Sequence, residues 1–346
     1  MIPQAFGESS AWSLGIEEEL FVVDPVTLLP AHVPAGLLDG RRLKQELFAS
    51  VVELNTGICE SPEQAAAELG ELRAAARSGV EAAGLALAAA GTWPTAEPEE
   101  QDITDDPGYR AFVEYAGSAA RRQYCSGLHV HVGVASAEAC LDALEAVLPW
   151  LPVLLAVSAN SPYLAGRETG LASSRAEILA LLPRSGAPPI FASYDEWEVF
   201  AELLVRLGLA DQYTRIWWDA RPHPRFGTLE VRMPDQPTRL DVTVALAALV
   251  RGLVSGTERG EPADRGLYAQ NRWAALRFGR SAELVHPAER TLVPVDDMLR
   301  ELAERSGLAG SEVLAPLEGL DQAGEQLELG RREGVAAVCR RLLALT

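Results

Sequence analysis

The amino-acid sequence predicts an α+β fold in which helices cover an antiparallel or mixed β-sheet. Several short segments alternate apolar and polar residues, as strands with one buried face do, and longer segments have the apolar spacing of amphipathic helices. The 346 residues are enough for a large hydrophobic core, and neither an internal repeat nor a long linker divides them. We therefore predict a single domain spanning residues 1–346.

Composition and charge narrow the class of protein. With 48% hydrophobic and 23% charged residues, the chain has the composition of a soluble globular protein. Its net charge of −19 argues against a nucleic-acid partner, because phosphate backbones are bound by clustered Lys and Arg. Lys44 is the only lysine, so the chain lacks the lysine of a P-loop, and nucleotide chemistry would need arginine, metal or backbone amides.

Features that report on the cellular compartment favour a reduced, membrane-free environment. The four cysteines form no CxxC spacing, which favours free thiols. The N-terminal residues lack the basic and apolar regions of a signal peptide. The most apolar long segment, Val147 to Ala159, contains two prolines and is too short to span a bilayer. We predict a cytoplasmic protein with no membrane partner.

The first predicted strand, SLGIEEELFVVD from Ser13 to Asp24, contains three adjacent carboxylates. Successive strand side chains point to opposite faces, so Glu17 and Glu19 share one face while Glu18 lies on the other with the apolar residues. Two carboxylates on one face repel each other unless a cation lies nearby. The strand therefore predicts a cation beside Glu17 and Glu19.

The next segments predict a second strand and a long helix. The strand ELFASVVELNTGICE, Glu46 to Glu60, places Glu53 and Asn55 on one face. Ser61 is the expected helix cap, and the Ala-rich helix is expected to continue until Gly91 stops it.

The remaining elements follow from the same patterns. We predict a surface loop over or beside a site at residues 97–109 and then a strand in YCSGLHVHVGVAS. A helical stretch from residue 137 to 160, bent at Pro149 and Pro152, follows, and after it a functional loop with a short helix. Next come an amphipathic helix in YDEWEVFAELLVRLG and two strands in RIWWDARPHPRFGTLEVRMPD. From Leu240 onward, helical stretches alternate with Gly and Pro breaks.

Three further strands repeat the pattern of one apolar and one polar face. The polar faces carry Glu53 with Asn55, His129 with His131, and Glu230 with Arg232. A half-solvated sheet would also show one polar face, although such strands usually carry Thr, Lys or Ser. If the strands are neighbours, the polar faces instead form a funnel.

The funnel is our candidate metal site. Its proposed lining residues are Glu17, Glu19, Glu53, His129 and Glu230. Carboxylate oxygens with one or two imidazoles suit Mg²⁺ or Mn²⁺, and such ions take phosphate oxygens as further ligands. Arg232, on the same face as Glu230, would contact a transferring phosphoryl group, so the pattern suits metal-bound ATP.

The sequence resembles the carboxylate-amine ligase family, the type 2 glutamate-cysteine ligases, which have a glutamine-synthetase-like catalytic fold. Six ordered motifs carry the resemblance and span about Leu14 to Gly279: LGIEEELFVVDP, VELNTGIC, SGLHVHVGV, ANSPYLAGRETGLASSR, IWWDARPHPRFGTLEVR and NRWAALRFG.

The resemblance implies roles for particular residues. Glu17 and Glu19 match metal-binding acids of the family, as does Glu53 on the second strand. His129 matches a histidine near metal and phosphate, and Glu230 with Arg232 matches a metal and phosphate pair. Glu53 and Arg232 are thus the candidate catalytic residues, and Arg175 matches an arginine near the amino-acid substrate.

The resemblance also implies a reaction. A substrate carboxylate, with glutamate as the default, would take the γ-phosphoryl group of ATP, and an amine such as cysteine would attack the acyl phosphate. Residues 160–175 are our candidate cover that excludes water. A homodimer is plausible by analogy with the family. Trp93 stands where many relatives have a histidine, so that histidine's role is absent.

Other interpretations stay open. A metal-dependent amide hydrolase would use His129 and His131 to activate water, and a non-catalytic relative would bind nucleotide without turnover. His131 is either a site residue or a strand-packing histidine. Arg215, Arg221 and Arg225 would bind phosphate or pair with acidic groups, while His32, His223 and His286 are expected to be ordinary surface or loop residues.

Overall fold

The computed structural model describes residues 2–256 and 260–346. The strands are β1 Leu14–Val23, β2 Leu43–Gln45, β3 Val51–Asn55, β4 Ala86–Ala88, β5 Leu128–Gly133, β6 Tyr163–Leu164, β7 Arg167–Glu168, β8 Ala220–His223, β9 Thr228–Val231, β10 Glu283–Val285 and β11 Leu292–Pro294. The helices are α1 Pro62–Glu81, α2 Pro107–Ala116, α3 Ser118–Arg121, α4 Ala137–Val147, α5 Leu151–Ser158, α6 Ser174–Leu179, α7 Tyr194–Arg206, α8 Leu240–Ser255, α9 Arg265–Phe278, α10 Val295–Arg305, α11 Gln322–Glu333 and α12 Val335–Leu345.

One seven-stranded sheet organises the fold. Six strands run in the order β2-β3-β1-β5-β9-β8, and β4 also pairs with β1. The ladders between these strands are all antiparallel, so the sheet is antiparallel and not mixed. At the turn between β8 and β9, Gly227 has a φ of +66°, a left-handed conformation that glycine adopts without strain. The predicted α+β class is confirmed.

The apolar face of the sheet is covered by α1, α4 and α8. Ile16, Val130 and Leu229, from three neighbouring strands, are all essentially inaccessible to solvent in one core with the helices. The core forms because strands with period-two apolar residues bury that face against helices with an apolar stripe.

Glu18 is the exception on this apolar face. Its carboxylate has no exposed surface and accepts hydrogen bonds from Arg73 of α1 at 2.7 and 2.6 Å. Gln236 and Thr243 also donate to it, at 2.9 and 2.6 Å. Burial raises the pKa of Glu18, but the Arg73 guanidinium outweighs burial and lowers it. The alternation of β1 is thus as predicted, whereas the sequence reasoning missed the arginine partner.

Two predicted boundaries are wrong. The helix expected to reach Gly91 ends at Glu81, and the following residues form β4 beside β1. A turn around Gly84, with a φ of +74°, reverses the chain between the two elements. The strand expected from Glu46 to Glu60 is only β3, because the chain turns immediately before it to pair with β2.

The helical stretch from α4 to α5 is bent as predicted, with a 3₁₀ turn at residues 148–150. The stretch Ala137–Ser158 is longer than the apolar segment identified in the sequence, and by length and composition it could cross a membrane. However, 78% of its most apolar window is buried inside the fold. Core helices of soluble proteins meet the same criterion, so this is weak evidence for a span.

Candidate active site

The polar face of the sheet brings the predicted residues into neighbouring register positions. Glu19 on β1 lies opposite Glu53 on β3, and Glu17 lies opposite His129 on β5. Glu230 on β9 continues the row beyond β5. The five residues predicted to line the funnel therefore lie on four adjacent strands.

Three of the polar side chains form a first cluster, trio A, consisting of Glu17, His131 and Glu230. One ligand atom from each lies within 4.8 Å of the others. His131 Nδ1 lies 3.0 Å from the hydroxyl of Thr228, which can accept its hydrogen bond and orient the ring. Within the described part of the chain, the buried Nε2 has no hydrogen-bond partner, and it lies 3.5 Å from Glu17 Oε1. His131 therefore belongs to this cluster of candidate ligands and is more than a strand-packing residue.

A second cluster, trio B, consists of Glu19, Glu46 and Glu53. Ligand oxygens from these three carboxylates also lie within 4.8 Å of one another. Burial, followed by the charges of Glu53 and Glu19, raises the pKa of Glu46 well above its ordinary value. Lys44 contacts the cluster from β2, with its ammonium 3.2 Å from Glu53. Three carboxyl groups thus converge on one point, and such a set of oxygen donors suits a cation.

Sequence reasoning missed Glu46 because it assigned this residue to the strand of Glu53. In a continuous strand, positions 46 and 53 would face opposite sides. The chain instead leaves β2 at Gln45 and turns before β3, which brings Glu46 to the same side. One signal was available: Glu46 lies two residues after Lys44, so the alternation of β2 continued by one residue would place both side chains on one face.

His129 lies between the two trios and belongs to neither. Its Nδ1 is 3.1 Å from Glu17 Oε2, and its Nε2 is 3.9 Å from Glu19. Burial and the nearby Arg232 lower the pKa of His129 to about 4, so its ring is neutral at neutral pH. His129 thus lies beside the two clusters, where Glu17 holds its ring, and its role as a metal ligand stays a prediction.

Two arginines converge on Glu230. Arg221 of β8 donates to both its carboxylate oxygens, at 2.6 and 3.2 Å, and Arg232 forms a third, short contact. Burial raises the pKa of Glu230, but Arg221 and Arg232 outweigh it and hold that pKa well below the usual range. Arg221 is also fixed by the backbone carbonyls of Thr214 and Ile216, so it has a structural role. Arg232 makes fewer contacts and lies 3.5 Å from His129.

Arg175 reaches the polar face from the start of α6 and is only 2% exposed. It donates to the backbone carbonyls of Met233 and Arg232, at 3.2 and 3.1 Å. A side chain at Gly127 would occupy the space of the Arg175 guanidinium, so glycine is required there. The amide of Gly127 donates to Glu19 at 2.7 Å, which ties this corner to trio B.

Two cavities border the trios. The larger, about 520 Å³, borders Glu17 and His131 of trio A and has apolar walls that include Ile58 and Phe226. Three cationic side chains also line it: Arg41, Lys44 and Arg225. The smaller, about 130 Å³, borders Glu19 and Glu46 of trio B and is lined by Arg175, Arg215, Arg232 and aromatic residues. Trio A therefore borders a partly apolar cleft, and trio B borders an arginine-rich pocket.

Residues 160–175, the segment expected to cover the site, lie mostly away from the two cavities. Asn160 and Ser161 are fully buried at its start, and its β6–β7 hairpin contacts α11 through an ion pair between Glu168 and Arg331. Of the residues 160–175, Arg175 alone is among those that line either cavity. The loop predicted at residues 97–109 runs into α2 at Pro107, and Tyr109 on that helix borders the smaller cavity.

Three further residues singled out in the sequence are buried outside the clusters. His223 is buried on β8 and stacks on Phe226 with ring centroids 4.1 Å apart, so its assignment to the surface is wrong. His286 is also buried and contacts Glu301 at 2.8 Å. Trp93 is fully buried and donates to the carbonyl of Leu28, which is a packing role.

Comparison with known proteins identifies the family. The sequence profile of glutamate-cysteine ligase family 2 matches residues 13–334. A protein of Natronomonas pharaonis named glutamate–cysteine ligase is 36% identical over 346 residues, covering 95% of this chain and 94% of the relative. The chain belongs to glutamate-cysteine ligase family 2.

Another family relative and one solved structure agree with this assignment. A Sorangium cellulosum protein with the provisional name glutamate–cysteine ligase 2 is 40% identical over 308 residues, covering 85% of this chain and 82% of the relative. A crystal structure of glutamate–cysteine ligase from Francisella tularensis in complex with AMP has a TM-score of 0.72 at 15% identity, covering 97% of this chain and 88% of that chain, and shows the same fold. The predictions of the family, the glutamine-synthetase-like fold and a carbon–nitrogen ligase are confirmed.

The donor set of both trios in this family member fits a hard divalent cation. Trio A leaves a buried imidazole nitrogen without a partner beside two carboxylates, and trio B gathers three carboxylates. Mg²⁺ and Mn²⁺ prefer such oxygen-rich sites with occasional imidazole ligands. The four cysteines are free thiols, as predicted, and none joins either trio.

Replacement of Glu46 by glutamine is expected to stabilise the metal-free protein and to weaken its response to Mg²⁺. Burial and the neighbouring carboxylates disfavour the charged form of Glu46, so a neutral amide at this position should raise the melting temperature without metal by roughly 2 °C. The increase caused by Mg²⁺ should become smaller, because a ligand oxygen with full charge is lost. Thermal unfolding with EDTA and with Mg²⁺ measures both effects.

Glu100, an exposed acid in the acidic loop, provides the control for this prediction. Glu100→Gln should leave the Mg²⁺ response unchanged. A full Mg²⁺ response in Glu46→Gln would contradict the assignment of Glu46 to a cation site.

Proposed function

We propose that the protein is an ATP-dependent carboxylate–amine ligase that joins the γ-carboxylate of glutamate to an amine such as cysteine. The observation that carries this proposal is the position of the two acidic trios, one beside a cleft with apolar walls and the other beside an arginine-rich pocket. A nucleotide needs an apolar surface for its base and cations for its phosphates, whereas an acidic substrate needs arginine.

Trios A and B would hold the cations, Mg²⁺ or Mn²⁺. In trio A the ligands would be Glu17, His131 and Glu230, and in trio B they would be Glu19, Glu46 and Glu53. His129 would position Glu17 through the 3.1 Å contact. When bound, the cations would neutralise the charge of the phosphates.

The two cavities suggest where each substrate binds. We place the adenosine of ATP in the larger cavity, against Ile58 and Phe226, with Lys44 near the phosphates. We place glutamate in the smaller cavity, where Arg175 and Arg215 would pair with its carboxylate groups. AMP in the Francisella tularensis structure supports nucleotide binding by this fold.

The reaction would take place between the cavities. An oxygen of the γ-carboxylate forms a bond to the γ-phosphorus as the bond to ADP breaks, which gives an acyl phosphate. The amine nitrogen then bonds to the acyl carbon and phosphate leaves. Arg232, beside Glu230 and His129, would donate to the phosphoryl oxygens as their charge shifts.

Water must be excluded because it would hydrolyse the acyl phosphate. Tyr109 and Phe112 of α2 form an aromatic wall at the smaller cavity and would serve this purpose. Arg215 packs over the Phe112 ring, 5.1 Å from its centroid, and would hold that wall in place.

We also propose that residues 1–346 form a single catalytic domain and that the protein works in the cytoplasm. A homodimer stays a prediction. Cysteine is the default amine, and a panel of amines identifies the substrate.

ADP release from the purified protein tests the proposed function. With Mg²⁺ and ATP, glutamate plus the correct member of an amine panel should give ADP release that depends on the amine. Glu53→Gln should abolish it, because trio B would lose a ligand. Glu97→Gln, which changes an exposed acid outside both cavities, is the control and should retain activity.

The alternatives give different results. Saturable ATP binding without turnover across the panel would favour the non-catalytic relative. Metal-dependent release of amines from amide substrates without ATP would favour the hydrolase.

A further inference from the structure

Helix α7 carries apolar residues on its exposed side as well as on its buried side. The buried side contributes four residues to the core: Tyr194, Trp197, Ala201 and Leu204. On the exposed side, Val199 is 66% and Leu203 is 36% accessible to solvent. Leu207, the C-cap of the helix, is 61% accessible. These three residues follow one another at intervals of four, so they are neighbours on the helix surface. A contiguous exposed apolar surface of this kind is typical of a protein–protein contact.

Charged residues of opposite sign flank the exposed apolar residues of α7. Asp195 lies four residues before Val199, and Arg206 lies three residues after Leu203. Both charged side chains are exposed, and neither has an ion-pair partner among the residues that the structure describes. At about 100° per residue, the central four side chains lie within an arc of about 80° around the helix axis. They form one surface, the outer face of α7: Asp195, Val199, Leu203 and Arg206.

The order of residues on the outer face suits an antiparallel contact between two copies of α7. In a contact with twofold symmetry the same surface meets itself, so one end of the helix faces the other end of its copy. With the symmetry axis level with residue 201, Val199 of each copy would lie at the height of Leu203 of the other. Asp195 lies six residues before this level and Arg206 five residues after it, so their heights across the contact differ by only about 1.5 Å.

This arrangement would place an apolar centre between two ion pairs. Each ion pair would join Asp195 of one copy to Arg206 of the other. A parallel arrangement would instead bring like charges together, which is unfavourable. The charge pattern therefore favours a second copy of this chain in the antiparallel orientation.

We propose that the outer face of α7 is a homodimer interface and binds the same face of a second copy of the chain. This inference gives the expected homodimer a specific interface and does not depend on the proposed reaction. None of the four residues of the outer face lines either cavity on the polar face of the sheet, so each copy keeps its own site. A contact made by one pair of helices of about three turns is small, so the Kd of the dimer should be on the order of 10 µM.

Sedimentation velocity of the full chain, from about 1 to about 100 µM, tests the proposal. We expect a reversible change from monomer to dimer over this range. Val199→Glu should weaken the association at least tenfold, because it places a charge of each copy in the apolar centre. Val26→Glu is the matched control and should associate as wild type does, since Val26 is 87% exposed in the turn after β1. Circular dichroism and thermal unfolding establish that each variant is folded.

Exchange of the two charges identifies the contact as one between chains. Asp195→Arg and Arg206→Asp should each weaken self-association about tenfold, because like charges would then meet twice. An equimolar mixture of these two variants should recover the wild-type association to within about threefold, because opposite charges meet at both positions of the mixed dimer. Such recovery has no explanation within a single chain.

Three results would overturn the proposal. The first is wild-type protein that stays monomeric at about 100 µM, which is well above the expected Kd. The second is a dimer that Val199→Glu does not weaken, which would place the interface elsewhere. The third is a mixture of the two charge variants that associates no better than either variant alone.

Discussion

Arg232→Ala is expected to lower kcat for ADP formation by roughly 10³-fold, since a guanidinium that stabilises a transferring phosphoryl group contributes on that scale. The fold should tolerate the change. Glu230 would keep the two hydrogen bonds from Arg221, so its buried carboxylate would still be neutralised. The loss should therefore appear in turnover and not in thermal stability.

Steady-state kinetics with two further variants make this prediction specific. Arg232→Lys retains the charge but loses the planar donor pair, and it should recover only part of the rate. Arg206→Ala, an exposed arginine on α7, should retain wild-type kcat. A kcat for Arg232→Ala within tenfold of wild type would remove Arg232 from the proposed phosphoryl-transfer role.

Arg73→Met is expected to cost about 3–5 kcal/mol in the free energy of unfolding, the usual loss when one partner of a buried ion pair is removed. Glu18 has no exposed surface and would keep only the hydrogen bonds from Thr243 and Gln236. Urea denaturation at neutral pH measures the loss. Arg77→Met changes an exposed arginine one turn along α1 and should stay within about 0.5 kcal/mol of wild type.

The pH dependence of this difference follows from the lowered pKa of Glu18. A carboxylate with a lowered folded-state pKa stabilises the fold above its unfolded pKa, and this contribution is lost as the pH falls through the folded pKa. The gap between wild type and Arg73→Met should therefore be largest at neutral pH and shrink in acid. If the difference in the free energy of unfolding between wild type and Arg73→Met does not change with pH, loss of the ion pair is not the cause of that difference.

Much of the polar face of the sheet was predictable because strand periodicity is a local property. The alternation in β1 separates Glu17 and Glu19 from Glu18, and the same rule places His129 with His131. The six family motifs also occur in the expected order along the chain. The antiparallel register brings Glu19 opposite Glu53, as a funnel of neighbouring strands requires.

The errors occurred where the chain turns. Glu46 was missed as a site residue because the turn between β2 and β3 breaks the two-residue period. Gly91 was taken as a helix stop, although the helix ends ten residues earlier at Glu81 and the chain forms β4. Local propensity does not identify such turns, because Ala-rich segments enter a sheet edge when tertiary pairing favours it.

The sequence by itself determined the α+β class, the family, the polar faces of the strands and the residue types that suit a divalent cation. Each of these features depends on residue periodicity or on motifs of a few adjacent residues. Such local patterns do not depend on how distant parts of the chain pack together. Only the tertiary structure decided which side chains meet: His131 with Glu17 and Glu230, Glu46 with Glu53, and Arg73 with Glu18. These contacts join residues from different elements, and their distances depend on strand order, register and helix packing together.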